Sequence, residues 1–115
     1  MNAIPFFKKC MTITNSNDFV NYNCNKFIGA AYCYNQQFNL AKDYLFEAEK
    51  LILNKSGTLK DADLLGYLGS VYDAEANLER AKEYYQLAIK YYKKGDLIDI
   101  DFISSRLIKI DKFQR

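Results

Sequence analysis

The chain contains no histidine. That removes the commonest metal ligand and the commonest general base. Cysteine is scarce: Cys10, Cys24 and Cys33 form an odd set with no C-x-x-C pair. Each falls at an apolar position of a helical pattern, so all three read as buried thiols, not as a disulfide or redox pair. Proline occurs once, at Pro5, where a first helical turn tolerates it. No apolar run approaches the roughly 20 residues that span a bilayer. Lys8 and Lys9 interrupt the N-terminal apolar stretch before it reaches signal-peptide length. These readings predict a cytoplasmic protein with no membrane contact. A formal net charge of +2, with acidic and basic residues interspersed, is too weak to argue for nucleic acid.

What is present is periodicity. The 115 residues are half hydrophobic, enough to pack one domain. Phe38, Ala41, Leu45, Ala48 and Ile52 recur at steps of three and four, and so do Leu78, Ala81, Tyr85, Ala88 and Tyr92. Each set marks one helical face on which small and large residues alternate. A neighbouring helix approaches closely at an alanine, and the larger residues fill the space beside it. Both segments follow another helical stretch, and there Gly29 and Gly69, like Tyr32 and Tyr72, lie forty residues apart. A mid-helix glycine costs about 1 kcal/mol relative to alanine. Two at equivalent places imply a repeated structural reason, the close approach of a neighbouring helix.

The N-terminal stretch carries the same order in Ala3, Phe7 and Cys10, so the chain opens with the second helix of a repeat. It closes with one more amphipathic helix, with Leu97, Ile100, Ile103, Leu107 and Ile110 facing inward, Asp96 as cap, and Asp99 and Asp101 in its first turn. Gly57 reads as a helix stop, Thr58-x-x-Asp61 as a capping-box start, and Gly95 as a C-cap. The expectation is an all-α fold of about six antiparallel helices, near 3–14, 18–35, 38–54, 60–75, 78–94 and 97–112. They divide into a half repeat (1–17), two repeats (18–57 and 58–95) and a C-terminal capping helix (96–115).

Leu65, Leu68, Gly69, Tyr72, Ala81, Tyr85 and Ala88, with Ile28, Gly29, Tyr32, Ala41, Leu45 and Ala48 before them, resemble the tetratricopeptide repeat pattern. The resemblance covers nearly the whole chain. It departs from the family in its forty-residue spacing instead of about 34, in Asn25 where an aromatic is usual, and in Leu53 and Lys93 where the closing proline should stand. Longer helices and a longer inter-repeat loop accommodate those departures. Related helical-pair repeats such as Sel1-like ones carry the same functional implication.

The resemblance implies a right-handed helical-pair solenoid in which the first helix of each repeat lines a concave groove for a peptide or protein segment. On that reading Asn23, Lys26, Ala30, Cys33 and Tyr34 face the groove from the first repeat, and Asp63, Gly66, Ser70, Asp73 and Ala74 from the second. Ile100, Ser104 and Leu107 add to it from the last helix. Lys26 would meet an acidic group, and Asp63 and Asp73 a positive one. The family's carboxylate clamp for chaperone tails is not expected: Lys26 matches it, but Ala30, Tyr67, Leu97 and Asp101 occupy its other four positions.

Enzymatic readings find no footing in these residues. Asp61 with Asp63, and Asp99 with Asp101, are i,i+2 pairs that diverge around a helix and suit N-terminal turns. Tyr84, Tyr85, Tyr91 and Tyr92 invite a base-stacking reading, but Tyr85 and Tyr92 belong to the inter-helix seam. The sequence therefore predicts a non-enzymatic interaction module without cofactor or metal. The alternative is a self-assembling module, or a piece of a longer solenoid, associating through uncovered terminal helices.

Overall fold

The computed structural model describes residues 18–113, and every regular element among them is an α-helix. The five are α1 (Asp18–Tyr34), α2 (Phe38–Ser56), α3 (Ala62–Ala74), α4 (Leu78–Tyr91) and α5 (Ile100–Phe113). The expected helix 3–14 lies outside the described residues. The chain divides into two compact units between Leu59 and Lys60, close to the repeat boundary.

The first unit is built on the α1–α2 hairpin. Its seam is the expected face of α2: Ala41, Leu45 and Ala48 are fully buried. Gly29 of α1 explains how the helices come so close. A Cβ at Gly29 would lie 2.5 Å from Leu45 Cγ and 2.5 Å from Leu45 Cδ2. The glycine is the hole into which the leucine fits.

The α3–α4 hairpin of the second unit repeats this plan. Ala81, Tyr85 and Ala88 are fully buried, and a Cβ at Gly69 would stand 2.6 Å from the Tyr85 ring. The tyrosines flanking the seam pair alike. Tyr32 stacks on Tyr44 at 5.7 Å between ring centroids, and Tyr72 on Tyr84 at 5.3 Å. Both spacings fall in the offset-stacked range.

The hairpin turns match bond for bond. Gln37 N–H donates to Tyr32 O at 2.8 Å, and Gln36 N–H to Cys33 O at 2.9 Å. In the second hairpin Asn77 N–H donates to Tyr72 O at 2.9 Å, and Ala76 N–H to Asp73 O at 3.0 Å. This is a Schellman ending. It requires a left-handed residue, and the residues there are Gln36 (φ 61°) and Ala76 (φ 62°), not glycine. A side chain in that region costs about 1–2 kcal/mol, and glycine gives back part of that as chain entropy. Ala76→Gly should therefore raise stability by about 0.5–1 kcal/mol, read as a shift in the urea midpoint at unchanged slope.

Helix ends show where sequence patterning gave way to local hydrogen bonding. Gly57 stops α2 as expected, at φ 75° with its N–H on Leu53 O at 2.8 Å. The start of α3 is capped by Asp61, which accepts from the Asp63 and Leu64 N–H groups, and not by a Thr58 box. Helix α4 ends at Tyr91, three residues before expectation, so Gly95 is no C-cap and Tyr92 stands partly exposed outside the seam. Gly95 (φ 103°) instead belongs to a turn closed by the Lys93 N–H donating to Asp96 Oδ2 at 2.7 Å. Asp96 is thereby taken, and Asp99 caps α5 by accepting from Phe102 N–H at 3.1 Å. Helix α5 begins at Ile100, not 97. Leu97 is exposed, and Ile98 takes the inward place assigned to it.

Cys33 is a free thiol whose burial pushes its pKa up to about 12. Cys24 is disulfide-bonded, contrary to the reading of all three cysteines as thiols. Disulfides are rare in the cytosol, so cysteine usage no longer supports a cytoplasmic location. No helix among the described residues is long and apolar enough to cross a membrane.

Candidate functional site

Five of the ten groove residues assigned to the two repeats, Asn23, Lys26, Ala30, Cys33 and Tyr34, lie in the first unit. Asn23, Lys26, Ala30 and Tyr34 fall on one face of α1, because steps of three, four and four keep them within about one-quarter turn. The structure separates them by depth. Tyr34 is 68% exposed, and Phe19, one turn before Asn23 on the same face, is equally so. Asn23 is half-buried, and its Nδ2 donates to Phe19 O at 3.0 Å, one turn back on its own helix. Ala30 is buried. Lys26 is only 9% exposed, and its ammonium lies 5.4 Å from the Tyr22 ring centroid and 5.1 Å from that of Phe27. A cation at that distance from two aromatic faces is held by them. The aromatic residues one turn before and immediately after Lys26 were a signal for this that the groove assignment did not use.

Of the five assigned on α3, the polar ones, Asp63, Ser70 and Asp73, all have hydrogen bonds inside the second unit. Asp63 Oδ1 accepts from Leu97 N–H at 2.8 Å and from Ile98 N–H at 3.0 Å. Asp73 receives Arg106 through two bonds, Nε to Oδ2 at 2.7 Å and Nη2 to Oδ1 at 2.6 Å. The Tyr85 hydroxyl donates to Asp73 Oδ2 at 3.0 Å and stands 3.5 Å from Ser70 Oγ. Ser70 Oγ also donates to Gly66 O at 3.2 Å. Between the two aspartates, Gly66 gives Ile98 and Ile103 room to lie against the helix. The face of α3 assigned to a ligand is thus occupied by residues 97–106 of the same chain.

Burial and bonding set the protonation of this cluster. Burial of the Tyr85 ring raises its pKa, so the hydroxyl keeps its proton and remains a donor to Asp73. The Asp73 hydrogen bonds raise the Arg106 pKa and hold it charged. Asp63 is raised too, chiefly by burial, although the Ile98 and Leu97 N–H groups oppose the shift. A carboxyl raised in the folded state binds its proton more tightly there than in the unfolded chain. Its contribution to stability is therefore greatest below the ordinary carboxylate range and declines as pH rises through the raised value. Asp63→Asn keeps an acceptor for both N–H groups and abolishes this decline, with a stability change under about 1 kcal/mol at neutral pH. Asp63→Ala strands both donors and should cost about 2–3 kcal/mol. Hydrogen exchange at the Leu97 and Ile98 amides separates the two, rising only in the alanine variant.

The polar cluster is specific to the second unit. Counting back forty residues, Asp63, Gly66, Ser70, Asp73 and Tyr85 correspond to Asn23, Lys26, Ala30, Cys33 and Leu45. Three apolar residues, at Ala30, Cys33 and Leu45, become polar together, and that coordinated change is the sequence signal for the network. Among the described residues, no group of three acidic or cysteine side chains is placed to hold a metal ion. No family model, no curated protein and no solved structure matches the chain.

Proposed function

We propose that this protein is a non-enzymatic interaction module, a right-handed helical-pair solenoid of tetratricopeptide-like repeats, that binds a peptide or protein segment as an adaptor or sensor. The repetition of one hairpin plan supports the repeat reading. It extends to the glycine holes, the tyrosine stacks and the turn bonds, all in a forty-residue register. The observation that carries the binding reading is the contrast between α1 and α3. Residues 97–106 cover the ligand-assigned face of α3, whereas α1 presents Phe19 and Tyr34 to solvent on the corresponding face. Exposed aromatics beside a small residue and an amide suit an extended apolar segment with a few backbone hydrogen bonds. The binding residues on this reading are Phe19, Asn23 and Tyr34, with Lys26 and Ala30 shaping the floor.

A displayed-peptide selection on the full chain tests this. Peptides retained by the parent should lose at least about tenfold in affinity, roughly 1.4 kcal/mol, on Tyr34→Ala or Phe19→Ala. Both side chains are exposed, so circular dichroism should report an unchanged fold. Recovery of no peptide, or equal binding by parent and variants, overturns the reading. Self-assembly is the second reading, favoured by the large apolar residues Phe102, Ile108 and Phe113 that α5 leaves exposed.

A further inference from the structure

The C-terminal segment is held by side chains that recognise it piece by piece. Asp63 takes the two N–H groups of Leu97 and Ile98, Gly66 receives Ile98 and Ile103, and Asp73 takes the guanidinium of Arg106. What α3 recognises lies within ten residues of sequence; beyond them α5 lies against α4, where Asp111 stands 3.9 Å from Lys82 and Ile110 is fully buried, and these contacts travel with the segment too. We propose that α3 accepts this segment from a second copy of the chain as readily as from its own, so that two copies exchange α5 and the Arg106 of each closes on the Asp73 of the other. This goes beyond the peptide-binding reading, which concerns α1.

Three observations favour a second copy as the occupant. The link from Tyr92 to Asp99 contains no helix, and its Lys93, Lys94 and Gly95 are exposed. The part of it that precedes the recognised residues, Lys93 to Asp96, reaches roughly 13 Å when drawn out, so opening the turn there carries the segment away from its own α3. Helix α5 is lightly held: of its fourteen residues only Ile103 and Ile110 are buried, against nine of the thirteen in α3. Elements with few buried contacts open at the smallest free-energy cost. Leu97, Phe102, Ile108 and Phe113 stay in water when α5 folds back on its own chain, and they offer a second copy apolar surface to cover. The clasp is also selective. The positions on α1 equivalent to Asp63, Gly66 and Asp73 are Asn23, Lys26 and Cys33, which have neither the carboxylates nor the space.

Complementary charge reversal tests the exchange. Asp73→Arg alone sets arginine against Arg106, and Arg106→Glu alone sets glutamate against Asp73. Each clash persists within a chain and between identical chains. Mixing the two variants lets both pairs match, but only by exchange of α5. Native mass spectrometry of the mixture should show a 1:1 heterodimer that neither variant forms alone, with helical signal recovered on mixing if the single variants are partly unfolded. Deleting Lys94 and Gly95 removes the turn closed by Lys93 and Asp96 through which the segment folds back, and that chain should be a dimer by light scattering. A mixture without the 1:1 species together with a monomeric shortened chain overturns the proposal.

Discussion

Tyr85→Ala should destabilise the second unit by about 4 kcal/mol. The ring is fully buried, and truncating a buried aromatic residue typically costs 3–5 kcal/mol through lost transfer energy and the cavity left behind. The hydroxyl adds to the loss, because Asp73 surrenders one of its three donors. Tyr85→Phe separates the two contributions. It keeps the ring and removes only the hydroxyl, so its cost should be about 1 kcal/mol. Urea denaturation followed by far-ultraviolet circular dichroism reads both. Comparable losses for the two variants would mean that the hydroxyl, not the ring, carries the seam.

Gly69→Ala should change sign with its surroundings. In the parent, the new Cβ would fall 2.6 Å from Tyr85 Cδ1 and 2.7 Å from Cε1, atoms of a rigid ring with no room to turn aside. Overpacking of that kind costs about 1–3 kcal/mol and outweighs the roughly 1 kcal/mol by which alanine is the better helix former. In the Tyr85→Ala background the clash is gone and only the propensity gain remains, so the same substitution should stabilise by about 1 kcal/mol. The coupling in this double-mutant cycle then equals the overpacking cost, about 1–3 kcal/mol, as contacting residues can show. Additive effects would show that Gly69 is not there to admit Tyr85. Gly29→Ala should behave in the same way towards Leu45, whose Cγ is equally close.

The seam was legible because its signal is local. Ala41, Leu45, Ala48, Ala81, Tyr85 and Ala88 follow the period of a helix, and the structure buries every one completely. Duplication identified the glycines as structural before their neighbours were known. The C-terminal segment was misread where local signals competed. Asp96 and Asp99 both suit an N-cap, and the choice falls to Asp99 because Asp96 closes the preceding turn. Its attachment was not legible either. Asp63 meets the Leu97 and Ile98 amides 34 and 35 residues away, and Asp73 meets Arg106 at a separation of 33. No periodicity encodes a pairing at that distance, so both carboxylates looked available for a ligand. Lys26 was misjudged for another reason. Charge places a lysine at the surface by default, yet its stem can lie along apolar surface while two aromatic rings hold the ammonium.

The paired turns bear on how quickly the chain folds. Each hairpin joins its helices through bonds spanning three to five residues, and the seam that follows links Gly29 to Leu45 and Gly69 to Tyr85, only sixteen positions apart. Little loop entropy has to be surrendered before those contacts form. Each hairpin should form in the microsecond-to-millisecond range typical of helical proteins of low contact order. A ribosome adds about 5–20 residues per second, so the α1–α2 hairpin has time to close before α3 has left the exit tunnel. Residues 97–106, which must find α3 across more than thirty positions, are made after both hairpins and dock after them.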